Sequence, residues 1–205
     1  MSRAASFVTV GACASLLALA GCGDDGASTV DAGTDAPADA PADAALDAPT
    51  EPLRLTSSAL AEGTMFQRDN TCNGANTSPP FSWVNTPAAT MSLALVLTDV
   101  TPGVNLIHWV IYDIPAAATG LPTDIDKTYA PTDVLGAHQA KSYDMQVTGY
   151  LGPCPPSMHM YRFTLYALDL PALTATATTS RVALQAMLLD HDLATASING
   201  TYVQQ

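Results

Sequence analysis

Three short apolar runs set what this chain can fold into: residues 91–99 (MSLALVLTD), 107–114 (IHWVIYDI) and 160–170 (MYRFTLYALDL). Short apolar runs bounded by turn residues read as strands. The first two, separated by the turn-like VTPGVNL, read as neighbouring buried strands, and the third alternates polar and apolar residues in its first half. Weaker strand signals lie at 54–60 and 197–203. One helix is predicted over residues 181–196, capped by Thr179 or Ser180, with Leu184, Met187, Leu188 and His191 on one face that lies against a sheet. Long Pro-, Gly- and Thr-rich connections separate the strands, and strands and helices do not alternate regularly. An all-β fold, an antiparallel β-sandwich with a peripheral C-terminal helix, is therefore expected in place of a doubly wound α/β sheet.

The first fifty-two residues obey different rules. Arg3 precedes an uncharged stretch, residues 4–20, rich in Ala, Val and Leu, and Leu19-Ala20-Gly21-Cys22 follows at its end. Residues 1–21 read as a secretory signal. The small residues before Cys22 resemble a bacterial lipobox, which makes Cys22 the site of lipidation and the new N-terminus; an ordinary signal peptide or an uncleaved anchor is the alternative. Residues 22–52 carry eight acidic and no basic side chains among Ala, Pro, Thr and Gly. Such a segment has too little apolar area to offset its ordering entropy, so a disordered acidic tether is expected, with the folded domain at 53–205. The chain is read as an exported, membrane-anchored lipoprotein of a bacterial cell envelope.

The whole-chain charge of -12 misleads, because from Leu53 onward there are six basic and eleven acidic residues, a net of −5. No basic stripe is present, which argues against nucleic-acid binding. Once Cys13 and Cys22 are set aside, Cys72 and Cys154 remain. In an exported domain they read first as one disulfide, with two free thiols as the alternative; the spacings of a zinc site are missing.

The segment GYLGPCPPSMHMY, residues 149–161, cannot be a helix interior or a central strand, because its three prolines fix φ and remove donors. It is a stiff loop, the kind of segment that holds binding groups still. His159 stands at its end, and His108 stands at the mouth of another strand, after a turn that begins at Asp99. A lone histidine is more often structural than a ligand, but two imidazoles, one carboxylate and rigid backbone can line a small polar pocket that favours an anion. No Gly-x-Ser-x-Gly elbow occurs, and Cys154 between prolines has no helix N-terminus to activate it. A metal held by Asp99, His108 and His159 is possible on residue type alone, and no metal or cofactor is expected.

The blocks TCNGANTSPPFSW (71–83), LTDVTPG (97–103), HWVIYDIP (108–115), GYLGPCPPSMHMY (149–161) and LYALD (165–169) occur in this order. Together they resemble the phosphatidylethanolamine-binding protein family in its bacterial Raf-kinase-inhibitor-like branch. The resemblance implies a sandwich of a large and a small sheet, and a pocket for phosphate or a phospholipid head group. It implies ligand-binding roles for Asp99, Pro102, His108, Gly152, Pro153, Pro155, Pro156, His159 and Tyr161, and a disulfide between Cys72 and Cys154 that braces the pocket wall. Thr101 stands where the family has its second turn acid, Val100 where proline is usual, and the turn is one residue short, which implies a less acidic pocket. The segment around His138 lacks an expected asparagine, so His138 is left outside the site; His191 matches a histidine common in the family's C-terminal helix, with packing on the apolar face as an equal alternative.

The leading expectation is a non-catalytic binding module: membrane-held through its lipid, taking a small anion or phospholipid head group, and acting on a partner kinase or protease as relatives do. The alternative is a hydrolase using a pocket histidine as general base, with Ser157, Tyr161 or Thr101 beside it. A third is an interaction protein with a vestigial pocket.

Overall fold

The computed structural model describes residues 51–205. The signal at 1–21, the lipidation at Cys22 and nearly all of the tether at 22–52 lie outside them. The described residues form β1 (Arg54–Thr56), β2 (Thr64–Met65), β3 (Phe81–Val84), β4 (Ser92–Asp99), β5 (Leu106–Pro115), β6 (Gly120–Leu121), β7 (His138–Gln139), β8 (His159–Leu168), α1 (Arg181–Asp190) and β9 (Asp192–Tyr202). Two sheets result, a small one ordered β1-β3-β6 and a large one ordered β2-β9-β8-β4-β5-β7. The β2–β9 pair is parallel and the other pairs are antiparallel. The all-β sandwich with one helix is the architecture expected from the sequence, with that single parallel pair as a departure.

β4 is buried at every position, which explains why its sequence is a continuous apolar run and not an alternating one. Leu93, Leu95 and Leu97 face Leu55, Phe81, Trp83 and Leu121 of the small sheet, and the rings of Phe81 and Phe163 are 4.6 Å apart. Ala94 and Val96 face the opposite way, into a second core closed by Leu184 and Leu188 of α1. Both leucines are fully buried, and each such side chain contributes about 1.5–3 kcal/mol.

The helix stops at Asp190, well short of residue 196. Beyond it Ala194, Ala196, Ile198, Gly200 and Tyr202 recur at period two, and β9 pairs with the whole of β8. A ladder of that length satisfies more backbone than one more turn of helix would. Ser180 caps α1 as expected, accepting from the Ala183 N–H at 3.2 Å. His191 closes the helix, its Nδ1 2.9 Å from Asp169 Oδ1 in a partly exposed pair, so it is not the apolar packing residue its spacing suggested.

Candidate anion site

The ladder between β4 and β8 sets Asp99 directly opposite Tyr161. His159 lies two residues earlier on β8, so its side chain shares the Tyr161 face. His108 reaches the same place by a bulge. The β4–β5 register shifts between Leu97↔Trp109 and Thr98↔Ile107, leaving His108 without a partner across the ladder. Bulges re-aim side chains, and the His108 ring meets Tyr161 edge-on at 5.3 Å and Tyr143 at 4.7 Å. Asp99, His108, His159 and Tyr161 thus line one cavity of about 170 Å³, whose other walls are Tyr143, Val104, Leu106 and the loop residues Cys154, Pro155 and Pro156.

Three of the expected site residues, Gly152, Pro153 and Pro102, do something else or serve elsewhere. Gly152 donates its N–H to Asn76 Oδ1 at 2.7 Å, and a Cβ there would lie 2.5 Å from the Asn70 carbonyl oxygen. The glycine therefore admits a neighbouring backbone, where a ligand had been expected. Pro153 accepts from the Cys72 N–H at 3.2 Å, and the Cys72–Cys154 disulfide joins the same two segments. Gly152 and Pro153 fasten the loop from behind, while Cys154 both ties it and lines the cavity. Pro102 lies in a separate groove with Thr101, Met158, Met160 and Thr201, which His159 also borders. Gly152→Ala is accordingly expected to cost about 1–3 kcal/mol of stability through overpacking, read from the urea unfolding midpoint.

Tyr143 is the main contributor missing from the sequence reading; it sits in an irregular loop and no motif marks it. His138 pairs with Asp113 at 3.0 Å and stacks near Tyr129, apart from the cavity. Among the described residues, no group of three His, Cys, Asp or Glu side chains is arranged to hold a metal ion.

Asp99 is only 2% exposed. Its Oδ2 accepts from His159 Nδ1 at 2.6 Å and its Oδ1 from the Thr101 N–H at 3.0 Å. Burial alone would raise the carboxyl, but the hydrogen bonds from His159 and Thr101 outweigh it and hold Asp99 below the usual carboxylate range. The Thr101 hydroxyl accepts from the Met160 N–H at 2.9 Å, so the residue replacing the expected second acid clamps the turn onto β8.

His108 is 3% exposed, with Nδ1 3.0 Å from the Leu151 carbonyl oxygen. A carbonyl only accepts, so Nδ1 carries the hydrogen. Burial pushes the imidazolium down, against the opposing pull of Leu151, Asp99 and Asp144, which leaves the ring neutral near pH 7. Burial, followed by the Asp99 charge, pushes the Tyr161 phenol far up, and burial also raises Tyr143. Neither phenol is a nucleophile at neutral pH.

A family profile described as phosphatidylethanolamine-binding protein matches residues 56–203. A UPF0098 protein of Methanothermobacter thermautotrophicus is 45% identical over 101 residues, 48% of this chain and just under two thirds, 65%, of that protein. LppC of Mycobacterium tuberculosis strain H37Rv, whose name includes the word lipoprotein, is 33% identical over 165 residues, 76% of this chain and 78% of its own length. The crystal structure of Escherichia coli YbcL, described as a new member of the mammalian PEBP family, aligns with a TM-score of 0.68 at 30% identity, covering 76% of this chain and 100% of that one.

Proposed function

The chain belongs to the phosphatidylethanolamine-binding protein family, and from that premise we propose that its folded domain is a non-catalytic binding module for a small oxyanion, either free phosphate or the phosphate of a phospholipid head group. The observation that carries this reading is the meeting of Asp99, His108 and His159 around one cavity. At about 170 Å³ the cavity is smaller than the roughly 300–1,000 Å³ of sites for drug-sized ligands, which suits a head group and leaves no room for acyl chains. The lipid on Cys22 and the acidic tether would hold the module beside the envelope membrane; the name of LppC supports that anchoring. Regulation of a partner kinase or protease would act through the cavity rim, where Pro156 and Met158 are exposed.

One observation favours the hydrolase reading. Asp99 holds His159 by Nδ1, as the carboxylate of a Ser-His-Asp triad holds its general base. The nucleophile is the weak point: Thr101 is spent on Met160, Tyr161 keeps its proton, and Ser157 is exposed outside the cavity lining. Calorimetry of the full chain with inorganic phosphate and with glycerophosphoethanolamine, alongside a screen of generic esters and phosphoesters, separates the readings and the two ligand sources. The expected result is binding that weakens at least tenfold in His108→Ala, with no turnover by either protein. Turnover lost in the variant would establish the hydrolase instead.

A further inference from the structure

The hydrogen-bond polarity of the cavity points beyond the identity of its ligand. Each imidazole has its Nδ1–H already committed, His108 to the Leu151 carbonyl and His159 to the Asp99 carboxylate. Neither Nε2 has a hydrogen-bond partner among the described residues. In a neutral imidazole with the hydrogen on Nδ1, Nε2 is a lone pair. His108 Nε2 and Asp99 therefore present acceptors; the Tyr143 hydroxyl offers a side-chain donor, while that of Tyr161 is bonded to Asp99. A fully deprotonated oxyanion in this space would set its own lone pairs against the His108 imine nitrogen and a carboxylate.

Resting on the oxyanion reading, we propose that the cavity takes up an oxyanion together with a proton, and that the proton goes to Nε2 of His108. The two rings differ in their counter-charges. His159 already faces Asp99, which balances a cation there. His108 faces a neutral carbonyl and is almost wholly buried, so its imidazolium has no hydrogen-bonded counter-ion until an anion arrives. Protonation turns Nε2 from acceptor to donor and adds the positive charge that an oxyanion needs. The titratable and charged groups around His108 are Asp99 from β4, His159 and Tyr161 from β8, and Tyr143 and Asp144 from the loop at 141–148. The acids favour the cation and His159 opposes it, while burial is the larger effect and keeps the free ring neutral. The affinity for an anion of constant charge consequently rises as pH falls. The limit is about tenfold per pH unit for one linked proton, and the rise levels off once the free ring is itself protonated.

Dimethyl phosphate, whose charge is constant through the neutral range, is the probe. It is titrated into the full chain by calorimetry in two buffers of different ionisation enthalpy, and affinity is followed against pH. The expected result is uptake of about one proton per anion near neutral pH, the limit set by one titrating ring. Binding without proton uptake and with flat affinity leaves the oxyanion reading standing and overturns the proton requirement. Binding of inorganic phosphate but not dimethyl phosphate means the ligand supplies the proton, which overturns the assignment to His108. Failure of both to bind removes the oxyanion reading itself. In His108→Gln, checked for folding by near-ultraviolet circular dichroism, uptake should vanish; persistence would move the proton to His159 and overturn the assignment. Should that variant not fold, the ¹⁵N resonance of His108 Nε2 in the unmodified protein decides, by moving from imine to protonated values on ligand addition or staying put.

Discussion

Replacing Cys72 and Cys154 together by serine is expected to lower the unfolding free energy by about 4 kcal/mol, the chain-entropy value for a bridge that closes a loop of this length. The bridge joins residues 82 apart, so it removes a large share of the unfolded chain's freedom while adding no element to either sheet. Guanidinium unfolding of the double variant, and of the unmodified protein in reductant, should give matching midpoints, both well below that of the oxidised protein. A loss under about 1 kcal/mol would mean that the unfolded chain is already compact around this loop, or that strain offsets the entropy. The cavity should survive in part, because the loop is also held by Gly152 N–H to Asn76 Oδ1, Cys72 N–H to Pro153 O and Tyr150 Oη–H to Asn70 O at 2.6 Å. Weakened ligand binding without its abolition is the matching functional result.

The central strands were legible in the sequence because burial on two faces leaves a continuous apolar run, as in β4, and β5 and β8 flank it. β9 was not. Ala194 and Ala196 are small, favour helices and follow a genuine helix, so their period-two placement looked like one more turn of α1. β6 and β7 have two residues each and can show no periodicity. The site divides in the same way. Asp99, His108, His159 and Tyr161 stand at the ends of legible strands, so their convergence followed from pairing. The bulge that turns His108 inward leaves no mark on composition. Gly152 was misread for a definite reason: a glycine reports that something comes close, and only the folded chain shows that it is the Asn70 carbonyl. Tyr143 comes from an irregular loop, where position in sequence does not predict position in space.

Asp99→Asn is expected to reduce stability at neutral pH by about 2–3 kcal/mol, since it replaces the charged acceptor of a buried hydrogen bond and sets an amide against His159 Nδ1. The pH dependence distinguishes charge from packing. The folded Asp99 carboxyl lies below its unfolded value of about 3.9, so its stabilisation is fully present above that value and is lost as pH falls through the lowered folded value. Asparagine does not titrate. The stability gap between the two proteins should therefore be constant from about pH 8 down to about pH 5 and close progressively below about pH 4. Urea unfolding of both across this range measures it; a gap that stays open at the acid end would assign the loss to altered packing of the turn at Thr101. The same carboxylate orients His159, so the acid limb also marks where that ring loses its hold while His108, bonded to the Leu151 carbonyl, keeps its own.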